Sequence, residues 1–193
     1  MTITEQKSVI RNSMRATIRD MDASERVSAS QTIITRIESQ PGFQQASLVL
    51  GFVPTRGEPD ISGVLDTAVA QGKRIALPRC EQDGSMRFYE MKGDWRSGIV
   101  RGKLVVYELD VAYRQPLELP EACETLVLVP ALAYTPHRRR LGRGKGYYDR
   151  FFAQSCGEAL CIGVCYAVQV QPTLPIEPHD MVVNLVITEH QMY

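Results

Sequence analysis

The sequence predicts a three-layer α/β/α fold around a mainly parallel sheet, and three observations carry that prediction. Short apolar runs rich in strand formers occur at 47–53, 73–78, 125–130 and 159–166, as expected of strands buried on both faces. From residue 47 onward such runs alternate with segments of helical character, which favours a parallel sheet with helices on both faces. At 193 residues and 44% hydrophobic content, residues 1–193 make one domain with enough apolar mass for a full core. The fold is Rossmann-like but has no dinucleotide fingerprint.

Taken in order, residues 5–21 place Val9, Ile10, Met14, Ile18 and Met21 at near-helical spacing, with Thr4 as the N-cap. Lys7, Arg11 and Arg15 recur every four residues as a basic stripe. Asp22 with Glu25 has the pattern of a capping box for a second helix, 24–39, with Val27, Ile34 and Ile37 facing inward. Pro41-Gly42 ends that helix. The strand at 47–53 leads into Pro-Thr-Arg-Gly-Glu-Pro-Asp, 54–60, a polar loop at a carboxyl end where open α/β sheets bind ligands. Asp60 caps the next helix, 61–70. Strands follow at 73–78 and, with alternating exposure, at 86–90. Trp95 has the size to stack on a flat heterocycle, but packing is the commoner fate, and 91–124 is otherwise the least legible stretch. The run 125–130 is the clearest buried strand. A helix at 147–154 and strands at 159–166 and 182–188 complete the chain. Cys161 and Cys165 share one face of their strand and belong to the core.

Lys plus Arg number 22, as do Asp plus Glu, so no global field draws the chain to nucleic acid or a membrane. The five cysteines, an odd count without Cys-x-x-Cys spacing, read as reduced thiols in a cytoplasmic protein. The N-terminus has no signal-like apolar region, and no apolar run approaches membrane-spanning length.

Positive charge is instead concentrated in Arg-Leu-Gly-Arg-Gly-Lys-Gly-Tyr-Tyr-Asp-Arg, residues 140–150. Glycines at every second position let the backbone bring its N–H groups close to a ligand. The following helix points its free N–H groups and positive dipole end back at the loop. With Arg140, Arg143, Lys145 and Arg150 this makes a site for a polyanion, a phosphate chain above all. Asp149, a carboxylate among cations, is a partner for magnesium. A flexible, solvated turn is the plain alternative. A P-loop requires Ser or Thr after its Gly-Lys, whereas Gly146 follows Lys145. A dinucleotide motif requires a strand directly before the glycines, whereas a basic segment follows Pro130.

This run closely resembles the signature of the 5-formyltetrahydrofolate cyclo-ligase family, the 5,10-methenyltetrahydrofolate synthetases. The likeness is strongest at 140–150, weaker at 7–11, 53–58 and 169–180, and absent through 91–124. It implies the three-layer fold, ATP as co-substrate, Mg²⁺, and a reduced folate as substrate bound by a monomer. Lys7 and Arg11 match the family's N-terminal Lys-x-x-x-Arg, which binds ATP phosphates; from pattern alone that stripe is a solvated face. The resemblance adds Arg140, Leu141, Gly142, Arg143, Gly144, Lys145, Gly146, Tyr147 and Tyr148 to the ATP site. It assigns Val53 and Glu58 to the folate, joined by Arg143, Gly144, Lys145, Gly146 and Tyr147. Asp149 and Asp180 fall to the metal, and Arg143 and Lys145 to the catalytic neutralisation of charge. Tyr147 and Tyr148 flank a ring or form a packed pair, with equal weight.

The implied reaction converts 5-formyltetrahydrofolate to 5,10-methenyltetrahydrofolate with release of ADP and phosphate, by positioning and charge neutralisation rather than a triad. Four departures stand against the family pattern: Thr135 for Asp, Arg138 for Gly, Asn184 for a second Asp, and no Glu-Pro after Gly98-Ile99. They motivate an alternative, a folate- or nucleotide-binding homologue without turnover; a related formylated substrate is another. An RNA-binding reading of Arg138, Arg139 and Arg140 lacks aromatic interleaving and a basic domain.

Overall fold

The computed structural model describes residues 1–101, 107–109, 115–118, 124–155, 159–178 and 180–193. The chain opens with helices α1 (Ile3–Asp20), α2 (Ala23–Glu38) and α3 (Pro41–Gln45), then strand β1 (Leu48–Leu50). Helix α4 (Ser62–Ala70) leads to β2 (Arg74–Cys80) and β3 (Met86–Met91). Short strands β4 (Ile99–Arg101) and β5 (Tyr107–Leu109) precede β6 (Thr125–Pro130), β7 (Ala133–Tyr134) and β8 (Arg140–Leu141). Helix α5 (Tyr147–Ser155), β9 (Leu160–Val164) and β10 (Leu185–Ile187) follow.

Six strands form the main sheet in the order β10-β9-β6-β1-β2-β3. Every pairing is parallel except β2 with β3, so the predicted α/β architecture holds. Side chains alternate between two cores with the period of a strand. Val49, Leu126, Leu128 and Ile162 face Ile33, Ile37, Leu65 and Ala68 of α2 and α4. Leu48, Leu50, Val127 and Val129 face Phe151 of α5 on the opposite side. Cys161 and Cys165 both belong to that second core, as their spacing predicts.

Three local expectations are corrected. Helix α1 starts two residues early because Thr2, not Thr4, is its N-cap: its hydroxyl accepts from Glu5 N at 3.2 Å and its N–H donates to Glu5 Oε2 at 2.8 Å. Asp22 does stand at the N-cap of α2, but its side chain makes no capping hydrogen bond there. Val27 is 71% exposed, while Ile34 and Ile37 are buried. It lies two turns before Ile34 on the same face, where α2 overhangs an open cleft instead of the sheet. Trp95 packs: it is buried, donates from Nε1 to Asp66 at 2.9 Å and carries the Arg96 guanidinium over its ring at 4.3 Å.

The basic segment after Pro130 is a β-hairpin that the sequence pattern hid. Strands β7 and β8 pair antiparallel, Ala133 with Leu141 and Tyr134 with Arg140. Thr135 closes the turn, its N–H donating to Arg139 O at 3.0 Å and its hydroxyl accepting from Arg139 N at 3.2 Å. Arg138 holds φ +63°, the left-handed conformation that glycine enters most easily. Met14 and Ile18 of α1 pack on this hairpin through Leu132, Ala133 and Leu141. That contact carries the N-terminal helix to the carboxyl ends of the strands.

Candidate active site

The order of the strands reverses between β1 and β6, which pair in parallel. From β1 the chain crosses through α4 to β2, and from β6 through α5 to β9 on the other side. A crevice therefore opens beyond the carboxyl ends of β1 and β6, the place where open α/β sheets take ligands. The 54–60 loop follows β1, and the β7–β8 hairpin leads from β6 to the glycine loop, so topology alone brings the two predicted segments together.

Within that loop, Gly144 and Gly146 hold φ of +100° and +67°, which favour glycine, and arginine side chains pack on the bare α-carbons. A Cβ on Gly142 would lie 2.8 Å from an Arg140 guanidinium nitrogen, and one on Gly146 2.8 Å from Arg150 Nη1. Gly144, at φ +100°, would set a Cβ 3.2 Å from Arg11 Cζ. Each bare α-carbon thus admits a guanidinium against the backbone. Arg11 also donates from Nε to Gly142 O at 2.9 Å, so the N-terminal stripe docks on the loop.

Arg143 reaches the opposite wall. It donates to Glu58 Oε1 at 2.8 Å and also to Thr55 Oγ1. Glu58 Oε2 accepts from the N–H of Thr55 at 2.9 Å and from its hydroxyl at 3.0 Å. The Glu58 side chain is only 8% exposed; its carboxylate is fixed by the Thr55 N–H, the Thr55 hydroxyl and the Arg143 guanidinium. Val53 sits half-buried against the first core. Tyr166 donates to Glu58 O at 3.2 Å from behind the loop. A cleft of about 540 Å³ between α2 and this loop shares Thr55, Glu58 and Tyr166 and adds Arg26 and Arg56, a size typical of small-molecule sites.

Arg140 is 6% exposed in its side chain and braces the interior. It donates to Pro130 O at 3.1 Å, lies 3.5 Å from Asp149 Oδ1, and covers the Tyr148 ring at 4.9 Å. Tyr148 stacks on Phe152 at 6.2 Å, and its Oη is buried without a hydrogen-bond partner among the described residues. Burial pushes that phenol well above its ordinary pKa, so it stays protonated. Tyr147 instead lies under Arg150 at 5.3 Å, so the two tyrosines do not stack as a pair. Leu141 turns its side chain into the core, which leaves its backbone to the site. Lys145 is exposed, and no ion pair holds its ammonium among the described residues. Its carbonyl accepts from Arg150, which also donates to Gly84 O in the β2–β3 turn at 2.7 Å.

Lys7 is 5% exposed and Arg11 half-buried, so these two are not a solvated face, whereas Arg15 at the end of the stripe is exposed. Its ammonium meets Asp180 Oδ2 at 2.6 Å, Asp180 Oδ1 at 2.8 Å and Glu177 Oε2 at 2.7 Å. Burial pulls the Lys7 pKa down, but the hydrogen bonds and charges of Asp180 and Glu177 outweigh it and hold it above its ordinary value. Asp149 Oδ1 accepts from Met181 N at 3.4 Å, which brings this carboxylate beside the backbone next to Asp180. Two hard oxygen donors beside the glycine loop are of the kind that suits magnesium, which takes one or two carboxylates and completes its shell with water and substrate oxygens. No cluster of three ligating side chains occurs among the described residues, and such a site needs none. His179 lies outside the described residues.

Sequence reasoning placed Arg150 at the loop but missed Thr55 and Glu177 as parts of this network. Glu177, three residues before Asp180, also donates its own N–H to Asp180 Oδ2 at 2.7 Å; that spacing was the available signal. The departures from the family pattern have structural tasks. Thr135 caps the hairpin turn. Asn184 accepts from Cys161 N at 2.8 Å and finishes the edge of β9. Arg138 donates to Asn184 O at 3.0 Å while Arg140 is buried, so the arginine triplet forms no exposed basic strip. The position of the absent Glu-Pro runs into residues outside those described.

Comparison with known proteins bears on the family and the fold. A 5-formyltetrahydrofolate cyclo-ligase of Mycolicibacterium smegmatis is 34% identical over 146 residues, 72% of each chain. One from Escherichia coli is 24% identical over 164 residues, 84% of this chain and 89% of its own. The NMR structure of the Aquifex aeolicus 5,10-methenyltetrahydrofolate synthetase aligns with a TM-score of 0.81 at 26% identity, over 96% of this chain and 91% of that one. The Mycoplasma pneumoniae 5,10-methenyltetrahydrofolate synthetase shares the fold, with a TM-score of 0.75 at 19% identity over 95% and 98%. A model of the 5-formyltetrahydrofolate cyclo-ligase family matches residues 3–189, and the chain belongs to that family.

Proposed function

We propose that the protein closes 5-formyltetrahydrofolate to 5,10-methenyltetrahydrofolate, consuming ATP with magnesium and releasing ADP and phosphate. The observation that carries this reading is the 2.8 Å contact between Arg143 of the glycine loop and Glu58 of the opposite wall. It joins the residue set assigned to phosphates to the residue assigned to the folate, as transfer between two bound substrates requires.

A formyl amide is a poor electrophile because its nitrogen lone pair already feeds the carbonyl. In this reading the formyl oxygen attacks the γ-phosphorus of ATP and ADP leaves. The oxygen becomes a leaving group, the folate N10 attacks the same carbon, and phosphate departs as the ring closes and N10 loses its proton. Lys7, Arg11, Arg143 and Lys145 neutralise the phosphates while backbone amides of the loop orient them. Arg140 holds Asp149 toward the metal position, and Glu58 fixes the pterin end of the folate against Val53. Asp149 and Asp180 would hold magnesium, which when bound would supply charge neutralisation for the phosphates.

The test follows near-ultraviolet absorbance, since the methenyl product absorbs there and the formyl substrate does not. The expected result is a rise that requires ATP and falls by about a hundredfold or more in Lys145→Ala and Asp149→Ala. No rise from folded protein that binds ATP would overturn the proposed reaction while leaving the nucleotide site.

A further inference from the structure

Lys7 and Asp180 are given different partners by the proposed function, a phosphate for the lysine and a metal for the aspartate, yet here each is the other's partner. Both Asp180 oxygens meet the Lys7 ammonium, at 2.8 and 2.6 Å. Oδ2 is further engaged by Glu177 N at 2.7 Å. A metal on either Asp180 oxygen, each 2.6–2.8 Å from the Lys7 ammonium, would stand against that ammonium, and the repulsion between the two cations weakens the hold of Asp180 on Lys7. A buried ammonium stripped of its counter-charge is strongly disfavoured. The third contact resolves the conflict: Glu177 Oε2 meets the same ammonium at 2.7 Å from a side chain still one-third exposed.

We propose that Glu177 is a positioning residue that keeps Lys7 charged and in place when Asp180 turns to the magnesium–nucleotide. Lys7 has three N–H donors, enough to remain on Glu177, touch a phosphate oxygen and release Asp180. Glu177 acts through Lys7 and touches neither substrate. This role rests on the reading of Asp180 as a metal ligand, and it separates two functions that one lysine–aspartate pair cannot serve together.

The experiment measures binding, not turnover. The β,γ-imido analogue of ATP is titrated by calorimetry into full-length protein, first in EDTA and then across a range of Mg²⁺ concentrations. With Glu177→Gln, Lys7 has only Asp180 to hold, so the Mg²⁺ concentration for half-maximal tightening should rise about tenfold, the worth of one charged hydrogen bond. Metal-free binding should stay the same or tighten, because a negative charge near the phosphates is gone. Glu177→Asp keeps the charge but withdraws it, and should raise the Mg²⁺ requirement part of the way. In a Lys7→Met background the Glu177→Gln effect should vanish. An unchanged Mg²⁺ requirement in Glu177→Gln overturns the proposal, as does wild-type behaviour in Glu177→Asp or an equal shift without Lys7. Asp180→Asn is the control. If it abolishes the Mg²⁺ dependence while Glu177→Gln shifts nothing, the metal reading stands and the proposal alone fails. If it keeps wild-type Mg²⁺ dependence, the metal reading falls and takes the proposal with it.

Discussion

At the scale of single residues, the site is built by arginines that the glycines admit. Gly144 holds φ +100° with the Arg11 guanidinium packed on its α-carbon. An alanine there must adopt a conformation L-residues avoid, at a local cost of about 1–3 kcal/mol, and it displaces Arg11 from Gly142 O. Gly144→Ala should therefore raise the KM for ATP about tenfold or more while the thermal midpoint falls by about 2–4 °C for each kcal/mol lost, as steady-state kinetics and calorimetry will show. Arg138 illustrates the converse. It occupies a left-handed position, φ +63°, where the family carries glycine. Arg138→Gly should stabilise the protein by up to about 1 kcal/mol and leave activity unchanged, read from the urea midpoint and the absorbance assay. A lower midpoint would show that its bond to Asn184 O outweighs the strain.

At the scale of elements, the β7–β8 hairpin is the unit that leads from the end of β6 into the glycine loop. It is anchored below by Tyr134, fully buried, whose hydroxyl donates to Val129 O at 2.8 Å. Above the ring lies β9, where a Cβ on Gly163 would come within 2.5 Å of Tyr134 Cζ. Gly163→Ala therefore overpacks a site with no room to yield, and should destabilise by about 1–3 kcal/mol or more. The loss should also weaken ATP binding, because Tyr134 positions the hairpin; equilibrium unfolding and nucleotide titration test both. Gln169 performs a similar task from the far side. Wholly buried, its amide donates to Ala131 O and Leu132 O at 2.9 and 3.1 Å, and its Oε1 accepts from Tyr166 N at 2.8 Å. It fixes the segment between β6 and β7 against the turn after β9.

For the whole molecule, the buried titratable groups set the alkaline limit. Burial raises Tyr134, Tyr148 and Cys165 above ordinary values of 10.0, 10.0 and 9.0. Their protons leave the unfolded chain first, so the folded state binds more protons in that range and loses stability as pH rises. The thermal midpoint should hold up to about pH 9 and fall beyond it. Tyr148→Phe should flatten part of that fall at little cost at neutral pH, because the Tyr148 hydroxyl has no hydrogen-bond partner among the described residues. A midpoint independent of pH between 8 and 11 would refute this account.

The sequence by itself determined the α/β class, the strands that alternate between two cores, the glycine loop with its following helix, and the family. These are local patterns: strand period, apolar runs and a contiguous signature, each written within a few residues. Tertiary structure alone decided that Lys7 is buried against Asp180 and Glu177, some 170 residues away in sequence, and that Arg143 clasps Glu58. It also decided that Thr135 and Asn184 serve the backbone, and that Val27 looks out into a cleft. The physical reason is that a charged side chain reads alike on a solvated helix face and in a buried pair. Which of the two it becomes depends on the partners that the strand order brings to the same crevice.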